Sequence, residues 1–374
     1  MKKIVLLNDS LIGGGAERIT LNLARGFLKK GCEVHIVLVK NIIEHEVDQH
    51  IKIHTLTDDG VIYKNKFLNK LALAKKLKST IQNIEKDGKK VDMYISNAED
   101  MDLLGRKLKL PNFYIRYRNS MYEYYVSKFK NKKGLKKLYH KFRFKRKFKK
   151  VYDNANIITV AKALEDDLIN KMGIKPKFIK TIYNPFDFEY IRKKAEEDNP
   201  NIPKVPYIIY AAKFENRKNQ KLLVKAYKKA NVEIPLVLIG NTYTKSDKEY
   251  LNELKKLIKE LSLEDKIIFP GFQKNPYPWI KNAKLFAMSS NSEGLPLVLV
   301  ESLILDTPVV STDCPTGPSE VLVGDLKEFL SPVGDEDKLA KNIKKALNRY
   351  PEINDKILER FKLDYSIQEY LNLL

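Results

Sequence analysis

Residues 291–302 read NSEGLPLVLVES, an order that sets an acid, a glycine and a proline immediately ahead of an apolar run of helix length. Glu293 precedes a helix expected to start near Gly294 or Leu295, and Glu301 follows eight positions later, about two turns along it. Gly294 has no Cβ to hold a ligand away. Pro296 suits a first helical turn, where its missing N–H would have no partner in any case. The free N–H groups of such a terminus can hold a phosphate. One carboxylate then stands at the mouth of the helix and the other deeper along its face, and both can accept charge-assisted hydrogen bonds from sugar hydroxyls. The plainer alternative makes Glu293 a helix cap and Glu301 an ordinary surface acid.

On either side of this stretch, short β-branched runs alternate with longer helical patterns. Strands are expected at 207–212, 235–240, 266–269, 284–288 and 308–311, and helices at 218–230, 246–261 and 295–305. The run AAKFENRKNQ (211–220) places Lys213 just past one of these strands and Lys218 at the start of the next helix. Two ammonium groups at the carboxyl end of a parallel strand can neutralise a diphosphate. The first half opens in the same rhythm, with a strand at 3–7, a helix at 17–30 and a strand at 33–39. Gly13, Gly14 and Gly15 lie between the first strand and helix, where backbone N–H groups can approach an anion. Their spacing matches neither G-x-G-x-x-G nor a P-loop. The expectation is two α/β domains with parallel sheets. The polar, proline-bearing AEEDNPNIPK (195–204) reads as the linker, giving an N-terminal domain over 1–190 and a second over 191–355.

The length of 374 residues exceeds what one core usually organises and supports the same division. With 43% hydrophobic residues the chain can fill ordinary cores, and no apolar run approaches the ~18 residues of a membrane span. The N-terminus carries too few apolar residues for a signal peptide. Cys32 and Cys314 form no disulfide framework, and a cytosolic location is expected.

The net charge of +22 sits mainly in the first half, where residues 1–190 hold 40 Lys and Arg against 21 Asp and Glu. Within it, residues 128–150 carry 13 basic residues and no acid. On a helix, Leu135, Leu138, Tyr139 and Phe142 share one face, and Phe144, Phe148, Val151 and Tyr152 gather on roughly the opposite one. One stripe can dock on the protein while the other enters a lipid headgroup layer. The candidates for the membrane contact are Phe144 and Phe148 with Lys136, Lys137, Arg143, Lys145 and Arg146. A single-stranded nucleic acid or plain solvation are the alternatives. Asp335-Glu336-Asp337 reads as a helix N-cap with acidic first-turn residues, so no metal site is expected.

Taken together, these residues resemble the retaining, nucleotide-sugar-dependent glycosyltransferases of family 4, over nearly the whole chain. GGGAERITLNLA (13–24) is similar to that family's glycine loop and first helix, and TIYNPFD (181–187) to the segment before its linker. Glu293 and Glu301 match its E-x7-E motif, and DTPVVSTDCPTGPSEVL (306–322) the segment that follows. The resemblance implies the GT-B architecture: two Rossmann-like parallel-sheet domains facing a cleft, with a C-terminal helix, within 356–374, crossing back to the first domain. It implies that Glu293 contacts the donor-sugar hydroxyls, Glu301 the ribose, and Lys213 and Lys218 the diphosphate, with Gly14, Gly15, Gly294, Leu295 and Pro296 also at the donor. Base contacts are expected around Gly240 to Tyr243, with Asn241 among them, and around Gly271 and Phe272. Two departures stand out. Lys213 replaces the family's usual arginine, which loses bidentate phosphate recognition. Arg118, Asn119 and Ser120 stand where many relatives have a histidine, and none of His35, His45, His50, His54 and His140 fills that place.

The expected activity is transfer of a hexose or N-acetylhexosamine, with retention and without a metal or other cofactor, from a nucleotide diphosphate sugar, UDP-linked by expectation. The expected acceptor is lipid-linked or a growing surface glycan, gripped by Arg116, Arg118, Asn119 and Ser120, and the expected place is the inner face of the cytoplasmic membrane. A sugar-nucleotide epimerase or phosphorylase on the same fold is the alternative. From another class comes a basic nucleic-acid-binding protein with a vestigial cleft.

Overall fold

Seven short runs of Ile, Val, Leu and Tyr in the first half become the strands β1 (Lys3–Asn8), β2 (Glu33–Lys40), β3 (Lys52–Thr57), β4 (Met93–Ser96), β5 (Phe113–Tyr117), β6 (Asn156–Thr159) and β7 (Phe178–Thr181). Six more form in the second half: β8 (Ile208–Ala211), β9 (Leu236–Ile239), β10 (Ile267–Gly271), β11 (Leu285–Met288), β12 (Val309–Thr312) and β13 (Leu330–Ser331). The computed structural model describes residues 1–129 and 134–374, with the backbone alone at 135–137. The chain divides into unit 1, Met1–Phe186 with Phe361–Leu374, and unit 2, Asp187–Arg360.

In unit 1 the strand order is β3-β2-β1-β4-β5-β6-β7, and every pairing is parallel. Strands β1, β4 and β5 are buried along their whole length, because crossover helices cover both faces of a parallel sheet. This is why their sequences are continuous apolar runs rather than alternating ones. Helix Gly15–Lys29 carries Leu23, Phe27 and their neighbours into that core. Gly26 on it lets the last helix, Leu363–Leu371, come close: a Cβ there would collide with Ile367. The terminal segment is tied in by backbone hydrogen bonds from Phe186 N to Phe361 O (2.8 Å) and from Leu363 N to Phe186 O (3.0 Å). It is shorter than the helix read from sequence, because residues Asp355–Phe361 form a 3-10 turn first.

Unit 2 repeats the plan with the order β10-β9-β8-β11-β12-β13, again all parallel. Its order reverses between β8 and β11, as it does between β1 and β4 in unit 1. At such a reversal the loops leaving the two strands turn to opposite faces and open a crevice at their carboxyl ends, where α/β sheets place ligands.

Candidate active site

The reversal in unit 2 lies where the sequence motifs converge. Residues 212–219 leave β8, and residues 289–296 leave the neighbouring β11. Glu293 is 6% exposed. Its Oε1 pairs with Lys218 Nζ at 2.6 Å and its Oε2 with Arg217 Nη1 at 3.2 Å. Burial pushes the Glu293 carboxyl up, but the charges of Lys218 and Arg217, with hydrogen bonds from Lys218 and Ser290, outweigh it and leave it below its ordinary value. The site therefore holds a desolvated, ionised carboxylate, a strong acceptor for hydroxyl groups.

The loop carrying Glu293 is clamped from the segment after β12. Thr316 Oγ1 donates to the Glu293 carbonyl. Gly317, at φ +96°, packs so closely that a Cβ would lie 2.5 Å from Gly294 O. Helix Leu297–Ile304 begins at Leu297 rather than at Gly294 or Leu295, and Pro296 is its N-cap residue instead of part of its first turn. Pro296 adopts an extended ψ of 98° because the clamp draws Gly294–Pro296 out of helical geometry. Glu301 is buried, and its Oε1 accepts from the Tyr277 hydroxyl at 3.3 Å.

Lys213 is exposed and stands apart from the Glu293 ion pairs, with Nζ 4.6 Å from the centroid of the Tyr243 ring. Gly240 lets the end of β9 meet the end of β8, since a Cβ would run into the Ala212 carbonyl. Asn241 O accepts from Phe214 N at 3.1 Å, and its Oδ1 from Thr242 N at 2.8 Å. Phe272 is exposed just past β10. Asp335 caps helix Glu336–Asn348 by accepting from Lys338 N, and Glu336 pairs with Lys225 and Lys229. Among the described residues no group of three or more His, Cys, Asp and Glu side chains could hold a metal ion. Cys314 is buried, and burial raises its thiol well above the usual range.

In unit 1, Gly14 is the N-cap residue of helix Gly15–Lys29, and Gly13 N–H is taken by Glu44 Oε2 at 2.8 Å. The four residues proposed to face an acceptor separate sharply. Arg116 is buried and spends Nη1 on Asn97 Oδ1 (2.8 Å) and Nη2 on Asn184 Oδ1 (2.5 Å), so it braces the sheet end rather than offering a free guanidinium. Ser120 is also buried: its hydroxyl donates to Asp167 Oδ1 (2.5 Å) and accepts from Glu123 N (3.0 Å), which makes it a helix cap. Asn119 is exposed. Arg118 is half-buried, and no ion pair holds it among the described residues. Burial, then the nearby charge of Arg116, lowers its pKa, against the pull of Asp102, Glu17 and Glu99.

The basic stretch forms helix Gly134–Tyr152. Its docked face is the one assigned to lipid from sequence. Phe148 is buried against Tyr117 and Tyr152, and Phe144 packs with Tyr125, Phe129 and Phe148. The face left outward carries Leu138 (66% exposed), Tyr139 and Phe142 (63% exposed), beside Arg143 and Arg146. The ring cluster around Tyr117 selects the docked stripe, a choice made by tertiary neighbours and absent from periodicity. The Lys136 and Lys137 side chains lie outside the described residues.

Sequence reasoning missed Arg217, Tyr277 and the Thr316–Gly317 clamp. Arg217 had a signal, because it adjoins Lys218 in the same loop; the other two become visible only once the strands are ordered.

Residues 191–362 match the family model described as Glycosyl transferases group 1, and residues 13–190 that described as Glycosyltransferase Family 4. The N-acetylgalactosamine-N,N'-diacetylbacillosaminyl-diphospho-undecaprenol 4-alpha-N-acetylgalactosaminyltransferase of Campylobacter jejuni is 30% identical over 370 residues, covering 97% of this chain and 93% of the relative. The capsular polysaccharide biosynthesis glycosyltransferase CapH of Staphylococcus aureus is 26% identical over 325 residues, 84% of this chain and 82% of CapH. A glycosyltransferase from Rickettsia africae superposes with a TM-score of 0.74 at 18% identity, covering 100% of this chain and 97% of that one. Anabaena HepE in complex with UDP and glucose gives 0.73 at 18%, with 100% of both chains covered. The fold of both units is GT-B.

Proposed function

Because the chain belongs to glycosyltransferase family 4 and is a transferase, we propose that it moves a hexose or N-acetylhexosamine from a nucleotide diphosphate sugar to a lipid-linked or surface-glycan acceptor, with retention at the anomeric carbon. The observation that carries this reading is Glu293, a buried carboxylate kept ionised by two cations at the strand-order reversal of unit 2.

Glu293 accepts hydrogen bonds from the donor sugar's hydroxyls, and Glu301, backed by Tyr277, accepts those of the ribose. Lys218 neutralises the diphosphate as it departs, with Lys213 beside the exposed Tyr243 ring adding charge from the loop's other end. The leaving diphosphate's own oxygen takes the acceptor proton, so the protein supplies position and field rather than a base. In unit 1, Arg118 and Asn119 grip the acceptor. The Campylobacter relative, whose name places its acceptor on undecaprenyl diphosphate, and the UDP complex of HepE support the donor and acceptor classes. The exposed Leu138–Phe142 face of the basic helix attaches the protein reversibly to an anionic membrane, each nearby Lys or Arg contributing about 1 kcal/mol.

Thermal-shift screening against nucleoside diphosphates and their sugars, followed by transfer assays with polyprenyl-diphosphate-linked acceptors and NMR of the product's anomeric proton, tests the reading. Stabilisation by one nucleotide and an acceptor-dependent product of retained configuration are expected. Turnover of donor without acceptor would replace it by an epimerase.

A further inference from the structure

Two cations on consecutive residues hold the two oxygens of Glu293, and they are built differently. Among the described residues, the Lys218 ammonium pairs with Glu293 Oε1 alone. Arg217 is fixed on several sides at once: Nη1 reaches Glu293 Oε2 (3.2 Å) and the Ser292 carbonyl (3.0 Å), while Nε and Nη2 both reach Glu215 Oε1 (3.1 and 2.8 Å). A guanidinium forked over two acids and a carbonyl does not leave easily, whereas a single ammonium on a flexible stem does.

The proposed reaction, on which this inference rests, asks Lys218 to turn toward a diphosphate. Glu293 would then hold a buried charge with one partner fewer. Among the described residues, Tyr210 on β8, whose hydroxyl lies 2.8 Å from Ser290 Oγ, Ser290 itself and Cys314 past β12 also face it. Tyr210 and Cys314 are both held neutral by burial. None supplies positive charge.

We propose that Arg217 is a positioning residue, the resident counter-ion that stays on Glu293 while Lys218 moves to the donor's diphosphate, keeping the carboxylate ionised and aimed at the sugar. Lys218 is thereby free to serve the leaving group without uncovering the acid.

The test is the pH dependence of kcat/KM for UDP release from UDP-glucose or UDP-N-acetylgalactosamine by the full chain in the presence of a saturating polyprenyl-diphosphate-linked acceptor. Arg217→Gln is expected to raise the acidic limb by about one pH unit or more, a tenfold loss per unit below it. Arg217→Lys, which keeps the charge, is expected to return the limb toward that of the unaltered chain. Arg217→His places a titrating cation at the same site and is expected to add a loss of activity as pH rises through about 6.5. A uniform loss at every pH, with the limb unmoved in Arg217→Gln and no new limb in Arg217→His, overturns the proposal. The His variant decides alone if Arg217→Gln does not fold. Full activity in Glu293→Gln would instead remove the functional reading; an inactive Glu293→Gln beside an unmoved Arg217→Gln limb removes only the counter-ion.

Discussion

Lys218 and Glu293, 75 residues apart in the chain, meet through Nζ and Oε1 at 2.6 Å because β8 and β11 are neighbours in the sheet. Neither strand touches the other in sequence. The pair exists because the strand order reverses between them, and the chemistry proposed for unit 2 follows from that adjacency.

Replacing Glu293 by Gln keeps the shape and removes the charge. Turnover should fall by about 10²- to 10³-fold, the scale seen when a group aimed at a reacting centre is lost. The fold should persist, with a lower melting temperature because two cations lose their partner. Initial rates and a thermal melt on the same preparation check both.

Glu301→Gln is expected to act on binding rather than on turnover. A hydrogen bond to a charged acceptor contributes about 1.5–3 kcal/mol, so KM for the donor should rise by roughly ten- to a hundredfold with kcat nearly unchanged. Steady-state kinetics over a donor titration separate the two parameters.

Gly317→Ala should cost about 2–4 kcal/mol, since the position combines φ +96° with a Cβ 2.5 Å from Gly294 O. The strain falls on the Glu293 loop, so activity should drop more than the melting temperature alone would suggest. Urea denaturation and donor kinetics measured together give the comparison.

Asp102 gives stability a pH dependence. It is buried between Ser96 and Tyr152, and burial pushes its carboxyl up to about 7 despite hydrogen bonds from both and the charge of Arg118. Its folded value lies above its unfolded one of 3.8. The stability it contributes is therefore fully present below the unfolded value and is lost as pH rises through about 7. Asp102→Asn should gain on the unaltered chain between pH 5 and pH 8, read from denaturant midpoints at the two values.

The two faces of the basic helix should respond oppositely. Phe148→Ala empties a buried ring site and should cost about 3–5 kcal/mol. Leu138→Ser with Phe142→Ser should leave stability within about 0.5 kcal/mol per site, while binding to vesicles of phosphatidylglycerol falls by about tenfold or more. Unchanged sedimentation with such vesicles would detach the membrane from the reading.

Much of the crevice in unit 2 was legible in the sequence. The glycine and proline beside Glu293, the cation Lys218 at the start of the helix after β8 and the alternation of strands with helices are local signals, expressed within a turn or a strand, whereas Lys213 stands apart on the Tyr243 ring. The segment after β5 was less so. Arg116 and Ser120 look alike to Arg118 and Asn119 in the text IRYRNS, yet the first two are consumed by Asn97, Asn184 and Asp167, which reach them from other elements. The helix start near Glu293 moved to Leu297 for the same kind of reason, a clamp from Thr316 and Gly317.

The amino-acid order alone determined the two parallel α/β units, the placing of acids and cations at strand ends, and a basic helix with two apolar stripes, because periodicity and turn chemistry act over a few residues. Tertiary structure alone decided which cations hold Glu293, which stripe is buried and which arginine is left without an ion pair among the described residues. Those outcomes depend on neighbours that only the strand order brings together, and burial then fixes the charge each side chain carries.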